Sequence, residues 1–311
     1  MRQGVGPSCV ATPSARPSGV GPLMLDFLSQ RLPAIDRAEW SRRMAAGDVV
    51  MERCGALTLA PDAPFEPGRR LFYYRDLPDE PDLPFKARVL YQDEHLLVAD
   101  KPHFMPVVPS GRFLKQALLV QLKAELGLPE LTPVHRIDRD TAGLVMFSVQ
   151  APSRGAYQAL FRDRQVEKTY AAVAPWRVDL AWPLVRRSRI VEAEAFFKCT
   201  EVPGEPNSET WVEVLNAPST VAGSEPAAQR WALYRLKPIT GKRHQLRVHM
   251  NGLGLPIQND PFYPVVNDPA PGDYSRPLQL LAQELRFFDP IAQIPRVFVS
   301  ELTLNWPRLV A

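Results

Sequence analysis

Apolar side chains recur along this chain with two different spacings. Leu25 to Leu32, the stretch through Trp40 and Met44, Leu114 to Leu126 and Ala156 to Phe161 repeat at helical spacing. Asp36-Arg37-Ala38-Glu39 supplies a helix start, Gly47 a helix end, and Gly127 with Pro129 closes the third helix. By contrast, Ala87 to Val98, Val166 to Val173 and Trp231 to Pro238 read as strands, and Gly143 to Val149 is apolar enough for a strand buried on both faces. Helices mixed with consecutive strands, without regular strand-helix-strand alternation, predict an α+β fold with a mixed, largely antiparallel sheet and flanking helices.

Proline divides the chain. Of its 33 prolines, three fall within Leu77-Pro78-Asp79-Glu80-Pro81-Asp82-Leu83-Pro84, which cannot continue a helix and predicts an extended linker over residues 78–86. Residues 87–311 then form the larger domain and 23–77 a small α/β module. Residues 1–22, rich in Pro, Ser and Gly, predict a disordered tail. The small polar residues of 216–229 predict a loop between strands.

Composition narrows the function classes. A hydrophobic content of 45% suits an ordinary buried core, and a net charge of +3 means that nucleic-acid affinity must come from locally gathered Arg and Lys. Cys9, Cys54 and Cys199 are odd in number and lack C-x-x-C spacing, so a disulfide framework and a zinc knuckle are both disfavoured. No run approaches the roughly 18 apolar residues of a membrane span. We expect a cytoplasmic monomer with no cofactor, no metal and no nucleotide-binding glycine loop, since Gly252 and Gly254 lack the context of a phosphate cradle.

Candidate chemistry concentrates in three segments. In Val134-His135-Arg136-Ile137-Asp138-Arg139-Asp140-Thr141-Ala142-Gly143, a carboxylate stands between arginines directly before the buried strand. There a strand end would fix the backbone while guanidinium charge keeps Asp138 ionised. An isolated aspartate in such a loop would more often be a helix cap or a surface ion pair. Val166-Glu167-Lys168-Thr169-Tyr170 places Lys168 and Tyr170 on one strand face. The third segment runs from Thr240-Gly241-Lys242-Arg243 through His244-Gln245-Leu246-Arg247-Val248-His249.

Taken in order, His135-Arg136-Ile137-Asp138-Arg139 with Gly143, then Val166, Lys168 and Tyr170, then Thr240-Gly241 with His244-Gln245-Leu246-Arg247 and His249, resemble the RluA family of RNA pseudouridine synthases. The resemblance extends from about Val89 to Pro290, with a weaker match over Val89 to Glu94 and Lys101-Pro102. It implies conversion of uridine to pseudouridine in structured RNA, either large-subunit ribosomal RNA or tRNA, and an S4-like resemblance of the N-terminal helices tilts the expectation to ribosomal RNA. The bond from ribose C1′ to uracil N1 breaks, the base turns, and it rejoins through C5.

By the same resemblance Asp138 is the essential carboxylate, either attacking C1′ or removing the C2′ proton. Tyr170 stacks on uracil near the C5 proton, and Arg247 pairs with Asp138. Arg136 is the candidate to fill the gap left by an extruded uridine. Arg139, Lys168, Lys242, Arg243 and His244 are expected RNA contacts, with Arg162, Arg164, Arg186, Arg187 and Arg189 as further phosphate partners. Asp140 is expected to be structural. A metal site at His244 and His249 is disfavoured, because five residues on a helix separate them by roughly 140°.

Arg31, Arg37, Arg42 and Arg43 on short helices, followed by strands from Val49 to Tyr73, resemble a small S4-type RNA-binding module. Departures from the family pattern are Lys242 for arginine, Leu281 for histidine, Asn259 for glycine, and His103-Phe104 for small residues. Two other readings are a non-catalytic RNA-binding ribosome-assembly factor and a glycosidic hydrolase using Asp138 with Asp140.

Overall fold

The computed structural model describes residues 6–53, 55–74, 80, 82–110, 113–193, 197–217, 230–267 and 269–305. It divides into two units, Met1–Glu80 and Pro81–Ala311. In the first, β1 (Ser8–Ala11) precedes α1 (Met24–Arg31), α2 (Arg37–Ala45), β2 (Val49–Arg53), β3 (Gly55–Thr58) and β4 (Arg70–Tyr73). The strands form an antiparallel sheet in the order β1-β4-β2-β3. Asp36 caps α2 by accepting from the Glu39 amide at 2.7 Å, and Gly47 ends it with φ +77°. The apolar helix faces bury Met24, Leu28, Trp40 and Met44 against Met51 and Leu71.

Ser8–Ala11 corrects the expectation of a disordered tail through residue 22. Its four residues pair with Tyr73 to Arg70, and the Thr12 hydroxyl donates to the Glu66 carbonyl at 2.8 Å, so β1 gains main-chain partners that composition does not reveal. The linker expectation also changes. Residues 75–79 and 81 lie outside the described residues. Leu83, however, is buried in a core of the second unit, Asp82 accepts from the Gln116 amide at 2.8 Å, and Phe85 packs on Phe104 and Tyr274.

The second unit contains β5 (Arg88–Gln92), β6 (Leu96–Lys101), α3 (Leu118–Leu126), β7 (Thr132–Pro133), β8 (Ala142–Ser148), α4 (Ala151–Arg162) and β9 (Glu167–Pro175). It continues with β10 (Leu184–Glu192), β11 (Cys199–Val202), β12 (Ser208–Asn216), β13 (Trp231–Pro238), α5 (Gln245–Gly252), β14 (Leu280–Phe288) and β15 (Pro295–Val299). One sheet runs β11-β10-β12-β13-β9-β14-β8-β6-β5, with β15 beside β14 and β7 beside β8. Among the described strands only β14 and β8 pair in parallel. The fold is thus mixed and largely antiparallel.

Element boundaries shift where polar turns interrupt the pattern. The predicted strand over Ala87 to Val98 is a hairpin, because the Asp93 side chain accepts from the His95 and Leu96 amides and turns the chain. Helix α3 starts at Leu118, later than Leu114, while α4 begins earlier, at Ala151, with Pro152 in its first turn where no amide is missed. Residues 218–229 of the expected loop lie outside the described residues.

Gly143 sets the junction that positions the site. With φ +110° it lies beside Ala282 of β14, and a Cβ there would come within 2.2 Å of the Ala282 carbonyl oxygen. Only glycine permits this approach of β8 to β14.

Candidate active site

The loop between β7 and β8 is pinned from several sides. The His135 ring stacks on Phe161 at 4.5 Å, and its Nε2 accepts from the Met146 amide at 3.1 Å. Burial lowers the His135 pKa to about 3, so the ring stays neutral as that hydrogen bond requires. Lys101, fully buried at the end of β6, donates to the Pro102 and Arg139 carbonyls at 2.9 and 3.0 Å. Burial brings its pKa down to about 7 against the opposing pull of Asp140 and Asp138. His103 Nδ1 lies 2.7 Å from the Asp140 carbonyl, and the Asp140 side chain pairs with Arg139 at 2.9 Å. Asp140 is therefore occupied in holding the loop.

Asp138 projects from this loop. Arg247 Nη1 on α5 donates to Asp138 Oδ2 at 3.0 Å, while its Nε and Nη2 form a fork on both oxygens of Asp260 at 2.8 and 2.7 Å. The Arg247 side chain is 1% exposed and that of Asp260 0%, against 26% for Asp138, so the chain of charges runs from the interior to the open end at Asp138. Burial alone would raise the Asp138 pKa. The Arg247 charge and hydrogen bond, with the charges of His244 and Lys101, outweigh it and hold the carboxyl below its usual range. Asp260 is itself fixed by the Phe262 and Tyr263 amides, which donate to its Oδ1 at 2.9 and 3.2 Å.

Tyr170 and Lys168 of β9 line the same cavity as Asp138, as period-two alternation predicts. The cavity has a volume of about 500 Å³, a size suited to a small ligand or an extruded nucleotide. Burial, then the nearby Asp138 charge, raises the Tyr170 hydroxyl pKa, so it remains protonated at neutral pH. Lys168 reaches the Thr240 carbonyl at 3.5 Å. The opening is cationic. Arg136, Arg164 and Lys242 line it, and none has an acidic partner within 4 Å among the described residues.

The third segment divides into scaffold and site. Gln245 Oε1 accepts from the Thr240 hydroxyl and the Lys242 amide, and its Nε2 donates to the Glu209 carbonyl, locking the Thr240-Gly241 turn onto β12. His249 is buried among Ser188, Ser208 and Thr210 at 2.8 to 3.0 Å, and burial lowers its pKa to about 4. His244 sits before the first turn of α5 with φ +56°, its Nδ1 3.1 Å from the Tyr263 hydroxyl and its Nε2 3.9 Å from Asp138. It thus faces the Asp138 carboxylate, whereas the sequence placed it among phosphate contacts. Among the described residues no group of three or more His, Cys, Asp or Glu has a metal-binding arrangement.

Several predicted phosphate contacts are engaged elsewhere. Arg186 pairs with Glu201, Arg187 with Glu209 at 3.0 Å, Arg162 with Asp163 at 2.8 Å, and Arg243 with Glu192 at 3.1 Å. Strand β10 is consequently a charge-balanced surface over Arg186 and Arg187. Asp260 is the principal site residue that the sequence reading left without a role. Its clue was Asn259, which has φ +61°, a conformation that glycine and asparagine tolerate and that turns the chain into Asp260.

A family description for RNA pseudouridylate synthases matches residues 95–252, and the chain belongs to that family. A Synechocystis protein described as an uncharacterized RNA pseudouridine synthase is 28% identical over 77% of this chain and 79% of its own length. The dual-specificity RNA pseudouridine synthase RluA of Escherichia coli K12 is 34% identical over 56% of this chain and 76% of its own. Among solved structures, human RNA pseudouridylate synthase domain containing 4 aligns with TM-score 0.52 at 28% identity, covering 69% of this chain and 88% of that one. The protein is therefore an RNA pseudouridine synthase. No helix among its described residues is long and apolar enough to cross a membrane.

Proposed function

We propose that Asp138 is the carboxylate that acts on the ribose of the target uridine. The observation that carries this reading is the buried Arg247, fixed from behind by Asp260, which presents an ionised Asp138 to the cavity beside Tyr170. Attack on C1′ and removal of the C2′ proton both need a carboxylate held ionised at that place. Tyr170 offers a ring for uracil to stack on, and its hydroxyl stands near where the C5 proton must leave. Arg247 orients Asp138. Arg136 takes the space of the extruded base, while Lys168 and Lys242 line the same cavity to meet phosphates, with Arg139 and Arg243, which are paired with Asp140 and Glu192, as lesser RNA contacts outside it. His244 contributes by its place beside Asp138. The enzyme acts as a monomer in the cytoplasm.

The substrate is a uridine in structured RNA, with large-subunit ribosomal RNA ahead of tRNA. Dual specificity in the Escherichia coli relative supports action on more than one RNA. The N-terminal unit is proposed as an S4-like module, supported by two short helices beside a four-stranded antiparallel sheet. Its charge assigns it a minor share of electrostatic binding. Residues 1–80 contain ten arginines, no lysine and ten acidic residues, and Arg37 and Arg42 are paired with Asp26 and Glu39.

Incubating the enzyme with separated large-subunit ribosomal RNA and tRNA from cells lacking it, then mapping new pseudouridines, tests the RNA preference. Modification at a defined position of the ribosomal RNA is the expected result. Modification of tRNA alone would contradict it.

A further inference from the structure

Asp138 stands between two cavities. Besides the large one shared with Tyr170, a second of about 260 Å³ opens on the other side of Asp138, His244 and Arg247, which line both. Its remaining walls differ in kind from the first. They include Phe197 and Phe262, whose ring centroids are 5.4 Å apart with a 48° tilt, together with Arg139 and Arg243. The Phe262 ring lies nearly parallel to His244 at 5.9 Å, with the Arg247 guanidinium 5.1 Å from its centre. Phe197 belongs to the exposed large apolar side chains.

Flat rings suit a nucleobase, since aromatic faces accept any base; Arg139 and Arg243 are already paired with Asp140 and Glu192, so the rings rather than free guanidinium charge carry the recognition. The location selects which base. When a uridine occupies the first cavity with its ribose at Asp138, the covalent neighbours of that ribose are one phosphodiester away, and the second cavity begins at the same carboxylate. Asp140, the other acid in its wall, is buried and paired with Arg139, so it presents little unbalanced negative charge to a phosphate.

We propose that this second cavity receives the base of a nucleotide adjacent to the target uridine, stacked on Phe197 and Phe262, and that this subsite helps determine which uridines reach Asp138. The inference rests on the assignment of Asp138 to the ribose. It makes Phe197 a specificity determinant outside the three segments that carry the chemistry.

The test uses the full-length enzyme and a stem-loop RNA bearing a uridine that it modifies, with the 5′ or the 3′ neighbour replaced in turn by an abasic ribose. Stacking energies predict that removing the correct neighbour lowers wild-type affinity and kcat/KM roughly 5- to 150-fold. Phe197→Ala should cause a comparable loss on intact RNA and almost no further loss on the abasic RNA, while Phe197→Trp retains the wild-type preference. Losses that multiply independently, or that stay below about twofold for both neighbours, would overturn the subsite. Affinity alone suffices to read the coupling. Turnover surviving in Asp138→Asn would therefore overturn the ribose assignment while the coupling at Phe197 still decided the subsite.

Discussion

Arginine is wired differently in the two units. On α2 of the N-terminal unit, Arg42 and the buried Arg43 share Glu39, and Arg37 meets Asp26, so each of the three has an acidic partner close by and the residues brace a small fold. In the larger unit, Arg247 is buried between two carboxylates and leaves one of them facing a cavity, while Arg136 and Arg164 stand at the opening with no acid within 4 Å among the described residues. Arginine content alone therefore does not locate an RNA surface. The informative property is whether a carboxylate already occupies the guanidinium.

The comparison predicts unequal responses to substitution. Arg247→Met should be the most damaging of the arginine changes, because it leaves Asp138 and Asp260 uncompensated and should cost about 3 to 5 kcal/mol of stability, measured by denaturant unfolding. Its effect on pH dependence has a definite sign. The wild-type carboxyl has a depressed folded pKa, so its stabilising contribution is complete above the unfolded value of about 3.9 and is lost as pH falls through the lower folded value. Without Arg247, burial dominates and raises that pKa. An acid limb in kcat/KM should then emerge at higher pH than in wild type, and an unmoved limb would separate Asp138 from the profile.

Asp260→Asn should have the next effect. It weakens the fork behind Arg247 but leaves the direct contact to Asp138, and misplacement on the order of 1 Å predicts a fall of about 10²-fold in kcat with KM little changed. A loss confined to KM would make Asp260 a binding element. At the opening, Arg136→Ala and Lys242→Ala should each weaken RNA binding and reduce the slope of log affinity against log salt by about 1. The paired α2 arginines give the smallest response. Arg37→Ala and Arg42→Ala should leave that slope unchanged within error, and a drop comparable to that at Arg136 would erase the contrast between the units.

Local pattern made much of this fold legible. The run at Gly143 is apolar on both faces because Val145 and Phe147 pack with Leu118 and Leu122 of α3 while Leu144 and Met146 pack with Tyr157 and Leu160 of α4, and Trp231–Pro238 forms β13 as its alternation predicts. Asp138, Tyr170 and Arg247 could be picked out together because they fall within ordered motifs, and the structure brings all three to one cavity. Nonlocal partners were less legible. Ser8–Ala11 has no strong strand pattern and becomes a strand through pairing with β4, while Leu83 is held by a core that forms far along the chain. Asp260 lay hidden for a similar reason, since its role depends on reaching Arg247 across the turn that follows α5. Arg186 and Arg187 looked free in sequence because their glutamates lie on neighbouring strands.

The most direct test uses RNA carrying tritium at uracil C5, following tritium release and product nucleosides with wild type and Asp138→Asn while RNA affinity is measured in parallel. The account predicts pseudouridine and tritium release from wild type, a fall of about 10⁴-fold or more in Asp138→Asn, and affinities within a few-fold of each other. Near-normal release by Asp138→Asn, or a collapse of RNA binding with the fold intact, would contradict the assignment of Asp138 to the reacting ribose.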